Sequence, residues 1–351
     1  SFNRRMVNIV KIVIPLLFLL TLGASWPAHG EAVSIMTFNV ENLFDNTDDP
    51  GKRDETYLPK ETKTNQLHIE KCHQVKVRRW REECLFWDWS DNVVQQKLKV
   101  VGATIRQVNN GLGPDIVALQ EVENMHILEQ LRDNHLAGLG YDTVVLIEGN
   151  DKRGIDVAFL SKFPARNARL HYTRFAVSQA NRIGDTRPIL EATFELPDGD
   201  QLIGLNAHFP APFHPATMRE ESYATLNAIL DGLPKDQPVF AAGDFNTTSE
   251  ENADRAMLAT WVRPLWEVAH DLCEECPGTN YYAPKKQWSF LDTVLWRGID
   301  GWKIAGSYLA NTAVGQVTKD GKPKRFQMPS ASGVSDHWPL VLEVKPFQTA
   351  R

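Results

Sequence analysis

The sequence predicts an α/β protein built on mixed β-sheets. Short apolar runs alternate with amphipathic helical patterns through the first part of the chain, which is typical of α/β folds. Residues 189–207 instead predict a β-hairpin, because a Pro197-Asp198-Gly199-Asp200 turn separates two apolar runs. Helical crossovers join parallel strands and hairpins join antiparallel strands, so both kinds of strand pair are expected.

Each predicted element follows from its local pattern. Strands are expected where apolar or alternating residues form a short run, at 33–40, 115–119, 141–147, 153–160, 189–196, 201–207, 239–242, 290–296 and 340–344. Helices are expected where apolar residues recur at helical spacing, at 95–109, 125–137 and 216–230. The first helix presents Leu98, Val101, Ile105 and Val108 on one face. No repeat or convincing linker divides residues 31–351, so a single domain is expected.

The first thirty residues differ from the rest of the chain. Arg4, Arg5 and Lys11 precede an apolar run at 12–22 and a small-residue stretch, which is the pattern of a secretory signal peptide. The run is shorter than the roughly twenty residues of a membrane span, but an uncleaved N-terminal anchor is the alternative. The sequence therefore predicts an exported protein, either periplasmic or extracellular.

The composition is that of a globular protein with an acidic surface. Hydrophobic residues make up 42% and charged residues 23% of the 351 residues, which excludes wholesale disorder. Residues 1–30 hold three basic residues and no acidic ones, so the formal net charge changes from −6 for the whole chain to −9 for residues 31–351. This charge disfavours strong non-specific binding of duplex DNA. It leaves phosphate chemistry open, because a divalent cation can invert the local field.

A polar segment at about 46–92 is predicted to be an ordered insertion with short helical pieces, since a structureless loop of this length is uncommon in a compact domain. Its aromatic residues Trp80, Phe86, Trp87 and Trp89 either anchor the segment to the body or form a surface on which substrate stacks.

The four cysteines predict two local disulfides in an exported chain, Cys72–Cys84 and Cys273–Cys276. A zinc site built from all four thiolates is the alternative. It is disfavoured because Cys72 and Cys84 are twelve residues apart and do not form a C-x2-C pair.

The main functional signal is a set of polar residues where strands begin or end. Asp244 and Asn246 follow a buried strand at a spacing of two, which places both side chains on one face. Asp292 interrupts an apolar strand, where an unpaired buried charge would cost several kcal/mol, roughly. Oxygen donors and imidazoles together are the inventory for Mg²⁺ or Mn²⁺ and a water that attacks phosphorus. The set comprises Asn39, Glu121, His208, Asp244, Asn246, Asp292, Asp336 and His337.

These residues lie in the motifs TFNVEN, LQEVEN, NAHFPAP, GDFN, FLDTVLW and SDHWP, in that order. The series resembles the endonuclease/exonuclease/phosphatase superfamily, in particular its deoxyribonuclease-like members, over about residues 33–344. The resemblance implies a four-layer α/β sandwich, with two mixed β-sheets packed face to face, helices outside, and the active site at the top between the sheets. It also implies one catalytic domain over 31–351 with an insertion at about 46–92 that compact nucleases lack.

The resemblance further implies roles for the metal and its neighbours. Glu121 and Asp336 would hold Mg²⁺ or Mn²⁺, with Ca²⁺ as a further candidate, and Asn39 would lie close to the ion. Asp244 and Asn246 would orient and deprotonate the attacking water or position the phosphate.

Two histidines and two further residues complete the implied site. His337, paired with Asp292, would bind a phosphate oxygen and stabilise the transition state. His208 would act as general acid on the leaving oxygen. Arg187 corresponds more loosely to a phosphate-binding arginine, and Asp156 to a carboxylate that orients the second histidine.

The expected activity is that of an exported, metal-dependent phosphodiesterase, a nuclease that acts as a monomer without an obligate protein partner. One alternative is a sphingomyelinase-like or phosphoinositide-phosphatase-like hydrolase of lipid head groups or small phosphoesters. An exposed apolar hairpin near the site would favour it, and 80–89 is the candidate segment. The other alternative is a catalytically inactive binding module.

Overall fold

The computed structural model describes residues 32–346. The predicted signal peptide or anchor at residues 1–30 lies outside the described residues. Within them, no helix is both long enough and apolar enough to cross a bilayer.

Two six-stranded sheets and a two-stranded ribbon contain the strands of the described chain. The strands are β1 (Val33–Leu43), β2 (Ile116–Val122), β3 (Thr143–Leu146), β4 (Asp156–Ser161), β5 (Ala165–His171), β6 (Ile189–Glu195), β7 (Gln201–His208), β8 (Val239–Asp244), β9 (Glu267–Val268), β10 (Asn280–Tyr282), β11 (Gln287–Ser289), β12 (Asp292–Arg297), β13 (Trp302–Leu309) and β14 (Leu340–Pro346).

Both large sheets are mixed, as the sequence predicts. The first has the order β13-β14-β1-β2-β4-β3 and the second β5-β6-β7-β8-β12-β9. Each contains one parallel pair at its centre, β1 with β2 and β7 with β8, while the neighbouring pairs are antiparallel. The carboxyl ends of these four central strands lie at the edge where the polar residues were predicted.

Seven α-helices accompany the sheets in the described residues. They are α1 (Gln66–His73), α2 (Arg78–Phe86), α3 (Asp91–Arg106), α4 (Met125–Gln130), α5 (Ala216–Gly232), α6 (Ser249–Arg255) and α7 (Met257–Trp261). A π-helical turn at Leu131–His135 continues α4.

Successive side chains of each strand point to opposite faces of its sheet, so each sheet packs against a different core on each face. Ile35 faces a central core, where it packs with residues of the second sheet such as Phe240 and Trp296. Its neighbour Met36 faces the opposite way, into the core beneath α3. On the second sheet, Leu205 turns outward to pack beneath α5. The order helix, sheet, sheet, helix is the four-layer sandwich that the resemblance implies, and this prediction is confirmed.

The insertion is ordered and largely helical. Cys72 of α1 and Cys84 of α2 form a disulfide, and Trp89 anchors the end of the segment by donating its indole N–H to the Phe44 carbonyl at 3.1 Å. Trp80 is 56% exposed, so the aromatic residues divide between anchoring and surface positions.

Both disulfide predictions are confirmed, since Cys273 and Cys276 form the second bridge. With all four sulfurs in two separate bridges, the zinc alternative is wrong.

Candidate active site

Sheet register places three site residues side by side. His208 at the end of β7 lies opposite Asp244 in the parallel pair with β8, and Asp292 lies opposite Asp244 in the antiparallel pair with β12. The strands approach so closely before Asp244 that a Cβ on Gly243 would lie 2.2 Å from the Ala207 carbonyl oxygen. Glycine is therefore required here by close packing of the backbones.

The first sheet contributes Asn39 and Glu121 from its parallel pair. The register between β1 and β2 shifts after Asn39, and Glu121 at the irregularity has a φ of +65°. Such bulges re-aim side chains at the ends of sheets. The Asn39 amide donates to Glu121 at 3.3 Å and to Asp244 at 3.0 Å, so it links the two sheets across the site. Its oxygen accepts the backbone N–H of Glu41 at 3.0 Å, which fixes the orientation of the amide.

His337 is held by Asp292. The imidazole Nδ1 lies 2.6 Å from a carboxylate oxygen of Asp292, and the Nε2 faces Asp336 at 3.8 Å and Asp244 at 4.0 Å. Burial alone would lower the pKa of His337, but the charge and hydrogen bond of Asp292 outweigh it, so the pKa is well above its ordinary value. The contact with Asp292 therefore favours the protonated, cationic form of the ring.

Asp244 combines burial with several hydrogen bonds. Burial first, and then the negative charge of Asp292, raise its pKa to about 7 against the opposing effects of His337 and Asn39. The backbone N–H of Asn246 donates to the second Asp244 oxygen at 2.9 Å, and the Asn246 side chain donates to the Phe209 carbonyl at 3.0 Å. A buried carboxylate with a pKa near neutrality is suited to taking a proton from water.

His208 is buried beside Asp244, with its Nε2 3.6 Å from the carboxylate. Burial, followed by the positive charge of Arg187, holds its pKa well below the ordinary value, so the ring is neutral. Its Nδ1 is buried and has no hydrogen-bond partner within residues 32–346. The structure does not bring Asp156 to this nitrogen, because Asp156 accepts the backbone N–H of Gly149 at 2.8 Å.

Arg187 lies next to His208, but protein oxygens already bind it. Its guanidinium donates to the Asp151 carboxylate at 3.2 Å, to the Asp185 carbonyl at 2.9 Å and to the Phe209 carbonyl at 3.1 Å. Its buried Nε–H has no hydrogen-bond acceptor within residues 32–346. This arrangement leaves Arg187 positioned to add positive charge to the site.

Asp336 is the least constrained carboxylate of the set. It is 31% exposed at its side chain, and its nearest charged partners are Arg325 at 3.6 Å and His337 at 3.8 Å, both beyond hydrogen-bonding distance. Glu121 accepts hydrogen bonds from Asn39 and from the backbone N–H of Asn42 at 2.9 Å. Two hard carboxylates with free lone pairs fit Mg²⁺, which usually takes one or two protein carboxylates and keeps several waters.

Sequence reasoning missed Glu41 as a member of the site. It is buried, accepts the Arg325 guanidinium at 2.7 Å and the backbone N–H of Asp336 at 3.0 Å, and so fixes the loop that carries Asp336. Burial and then the charge of Asp336 raise its pKa to about 7. Alternation along the strand could not have identified it, because β1 is irregular after Asn39 and Glu41 has a φ of +50°.

Arg153 is a second residue that the sequence did not reveal. Its guanidinium donates to the Asn42 side chain and lies 6.0 Å from the centre of the Phe44 ring. It precedes β4 in a turn and belongs to no recognisable motif, so only the folded chain shows that it lines the site.

A cleft of about 1160 Å³ extends from the candidate site to the insertion. Glu121 and His208 line it, and the insertion contributes Trp80 and Trp87. Its arginines are Arg53, Arg79, Arg153, Arg187 and Arg325. The cleft therefore combines positively charged side chains with aromatic faces on which a planar group could stack.

A family model described as the Endonuclease/Exonuclease/phosphatase family matches residues 89–337. A comparison with curated protein sequences finds no match.

Solved structures with the same fold include three that cover most of this chain. A family protein of Bacteroides thetaiotaomicron is 15% identical, with 91% of this chain and 99% of that chain covered and a TM-score of 0.55. D. rerio TDP2 in complex with a single-strand DNA product is 13% identical, with 90% and 99% covered and a TM-score of 0.55. A mannosyl-6-phosphatase of Bacteroides thetaiotaomicron is 15% identical, with 89% and 99% covered and a TM-score of 0.54.

Proposed function

Because this chain belongs to the endonuclease/exonuclease/phosphatase family of phosphoric ester hydrolases, we propose that it is a divalent-metal-dependent nuclease. The observation that carries this proposal is the composition of the cleft. Trp80, which is 56% exposed, lies in the same cleft as Glu121 and His208. Stacking on aromatic faces, combined with arginine contacts to the backbone, is how proteins bind single-stranded nucleic acid without sequence preference.

Glu121 and Asp336 would hold the metal, with Mg²⁺ or Mn²⁺ favoured by their hard oxygen ligands. When bound, such an ion supplies charge stabilisation at a phosphoryl oxygen. Asn39 holds the Glu121 carboxylate by its amide, and Glu41 positions the backbone of Asp336. Asn39 and Glu41 therefore fix the positions of the two proposed metal ligands.

Asp244 is the proposed general base. A pKa near 7 makes a substantial fraction of this carboxylate ionised at neutral pH while keeping it basic enough to accept a proton from water. The hydrogen bonds from Asn39 and Asn246 orient the two carboxylate oxygens. We assign Asn246 to positioning this base and the phosphate.

His337 is the proposed electrostatic stabiliser. Its imidazolium directs Nε2–H toward Asp244, so the same N–H can donate to a non-bridging phosphate oxygen and offset the charge that develops there. His208 is neutral before substrate binds, and a phosphodiester's negative charge raises its pKa. We therefore propose that His208 donates a hydrogen bond to the leaving oxygen and becomes an acid only in the substrate complex.

Export of the protein is also proposed. The two disulfides support it, because structural disulfides persist in oxidising compartments.

A substrate-by-metal panel tests the function. Purified protein is incubated with plasmid DNA, single-stranded DNA or RNA in the presence of Mg²⁺, Mn²⁺ or Ca²⁺. The His208→Ala and His337→Ala variants serve as negative controls, called blanks below. Cleavage that requires metal and is lost in both blanks is expected. Intact nucleic acid in every metal condition would overturn the nuclease assignment.

A lipid head-group phosphodiesterase is the second candidate. Trp80 and Phe86 are 56% and 68% exposed on α2, next to the basic residues Arg78 and Arg79. Such a surface suits contact with a membrane interface. Release of phosphocholine from sphingomyelin vesicles, with nucleic acid left intact, would decide for it. Release of inorganic phosphate from sugar phosphates would instead indicate a phosphomonoesterase.

A further inference from the structure

A second acidic cluster lies outside the proposed catalytic residues. Asp49, Asp54 and Glu123 place one carboxylate oxygen each within 4.8 Å of one another. Asp49 and Asp54 belong to the loop that follows β1, and Glu123 is the residue after β2. The cluster therefore joins the start of the insertion to the central parallel pair of the first sheet.

Two of the three carboxylates, those of Asp54 and Glu123, are buried and accept hydrogen bonds from the backbone, while Asp49 is partly exposed. Asp54 is 1% and Glu123 2% exposed. The backbone N–H of Asp49 donates to one Asp54 oxygen at 2.7 Å, and the backbone N–H of Asp45 donates to Glu123 at 2.7 Å. These contacts fix the Asp54 and Glu123 carboxylates in place.

One oxygen of this arrangement has no partner. The Oδ1 atom of Asp54 is fully buried, and nothing in residues 32–346 donates a hydrogen bond to it. A buried acceptor without a donor is unfavourable, because it has lost its hydrogen bonds to water. Unsatisfied groups of this kind in a native fold often mark a missing water or ion. This atom is the observation, beyond the clustering of acids, that indicates a ligand.

The cluster also lacks a compensating positive charge. Within the described part of the chain, no lysine or arginine forms an ion pair with these carboxylates. Lys52 donates to the Asp151 carbonyl, and Lys71 pairs with Glu55. A bound cation would supply the positive charge that this cluster lacks.

We propose that Asp49, Asp54 and Glu123 bind a structural Ca²⁺ ion. Calcium takes six to eight oxygen ligands, with flexible geometry, from carboxylates and loop carbonyls. Magnesium prefers one or two carboxylates and retains its waters, so three converging acids suit it less well. Neither histidine nor cysteine is part of the cluster, which disfavours zinc. Asp45 adds charge and accepts the Asn124 amide at 3.1 Å, which fixes the turn after β2.

Calcium at this position would order one wall of the cleft. Asp54 begins the helical turn Glu55–Tyr57, in which Tyr57 stacks on Phe44 at 3.9 Å. Tyr57 and Arg53, which directly precedes Asp54, both line the cleft. Glu123 lies two residues after Glu121 and donates its backbone N–H to the Leu43 carbonyl at 3.0 Å. The ion would thus fix the insertion relative to the strands that carry the catalytic residues.

The proposal does not depend on the nuclease assignment and is tested by binding. Calcium binding is measured by titration calorimetry and by the thermal midpoint of unfolding, after removal of divalent ions. The Glu121→Gln/Asp336→Asn double variant removes the predicted catalytic ligands. It should still bind one Ca²⁺ and show a rise of roughly 5 °C in Tm at a hundredfold excess over Kd.

Substitution in the same loop identifies the ligands. In the double-variant background, Asp54→Asn should abolish both signals, while Asp48→Asn, an exposed neighbour outside the cluster, should keep them. In EDTA, the Asp54→Asn protein should have a Tm at or above that of the double variant from which it is made, because a buried charge has been removed. A Tm at that level would show that the substitution has removed the binding site and has not misfolded the protein. Retained binding in Asp54→Asn, absent binding in the double variant, or an equal Tm rise with Mg²⁺ would each overturn the proposal.

Discussion

Asp292 holds His337 by a 2.6 Å contact between a carboxylate oxygen and the imidazole Nδ1, and both side chains are buried. The two residues come from different parts of the chain, Asp292 from the start of β12 and His337 from the loop before β14. The contact fixes the ring and stabilises its positive charge, so the properties of His337 depend on a residue that need not touch substrate.

Asp292→Asn should therefore impair catalysis through His337. The amide removes the charge that raises the pKa of the imidazole, so the ring loses its proton at a lower pH. We expect kcat/KM to fall by about 10²–10⁴-fold. The alkaline limb of the pH–rate profile should move to lower pH. If activity fell while the pH–rate profile kept its shape, the role of Asp292 would be structural only.

Loss of a metal ligand should change metal affinity more than substrate affinity. Glu121→Gln and Asp336→Asn should each raise the Mg²⁺ concentration for half-maximal activity by about tenfold or more. EDTA should abolish activity of the wild type. Asp198→Asn, in the exposed turn between β6 and β7, serves as the control and should leave the metal dependence unchanged. Equal metal dependence in all four proteins would exclude these two ligands.

Trp80 and Phe86 offer a matched pair on α2, because both are exposed but only Trp80 lines the cleft. Stacking of a base on an aromatic side chain is worth about 1–3 kcal/mol, so Trp80→Ala should raise KM for single-stranded DNA by roughly 5- to 150-fold. Phe86→Ala should have little effect. If both substitutions reduced vesicle binding and neither changed the KM for DNA, the lipid alternative would be favoured.

The disulfide between α1 and α2 should contribute more stability than the second one. The loop it closes spans twelve residues, against three for Cys273–Cys276. Chain-entropy arguments give about 3 kcal/mol for Cys72→Ser/Cys84→Ser and about 1.5 kcal/mol for Cys273→Ser/Cys276→Ser. Urea unfolding of the two double variants measures the difference. A larger loss of unfolding free energy in Cys273→Ser/Cys276→Ser than in Cys72→Ser/Cys84→Ser would contradict this expectation.

Asp156 should make stability depend on pH. Burial, opposed by the Gly149 hydrogen bond, raises its pKa from 3.8 to about 7 in the folded state. Between about pH 4 and 7 the folded protein keeps a proton that the unfolded chain releases, so this group lowers stability as pH rises. The free energy of unfolding of Asp156→Asn, measured relative to wild type, should increase with pH by up to about 1.4 kcal/mol per unit in that window. No change with pH would show that Asp156 does not titrate there.

The central strands and their polar ends could be predicted from sequence because burial leaves a strong pattern. β8 is buried at every position, and its apolar run ends where Asp244 begins the polar stretch. A charge in such a strand needs a partner, which is why Asp292 indicated function before any coordinates. The predicted strands at 33–40, 189–196, 201–207 and 290–296 overlap β1, β6, β7 and β12.

Two edge strands, β5 and β13, could not be predicted, for a physical reason. β5 is largely exposed and reads Ala-Arg-Asn-Ala-Arg-Leu-His, so neither an apolar run nor a clean alternation marks it. β13 is partly exposed along most of its length. Pairing with β6 and β14 makes these segments strands, and such pairing is a tertiary effect.

The site residues that were missed depend on contacts between distant segments. Arg153 meets Asn42 across 111 positions, and Glu41 meets Arg325 across 284. The resemblance implied that Asp156 orients a histidine, but Asp156 accepts the Gly149 backbone N–H, and His208 Nδ1 has no hydrogen-bond partner within residues 32–346.

The alignment of His208, Asp244 and Asp292 at matching positions of three adjacent strands limits which changes of length the chain can accept. Deleting one residue within β8 would turn Asp244 to the other face of its sheet and remove it from both neighbours. Residues 46–92 lie outside these three strands, so a change in their number leaves the alignment intact. Loops around the cleft can therefore vary in length, and change the walls of the cleft, while the spacing of these three side chains stays fixed.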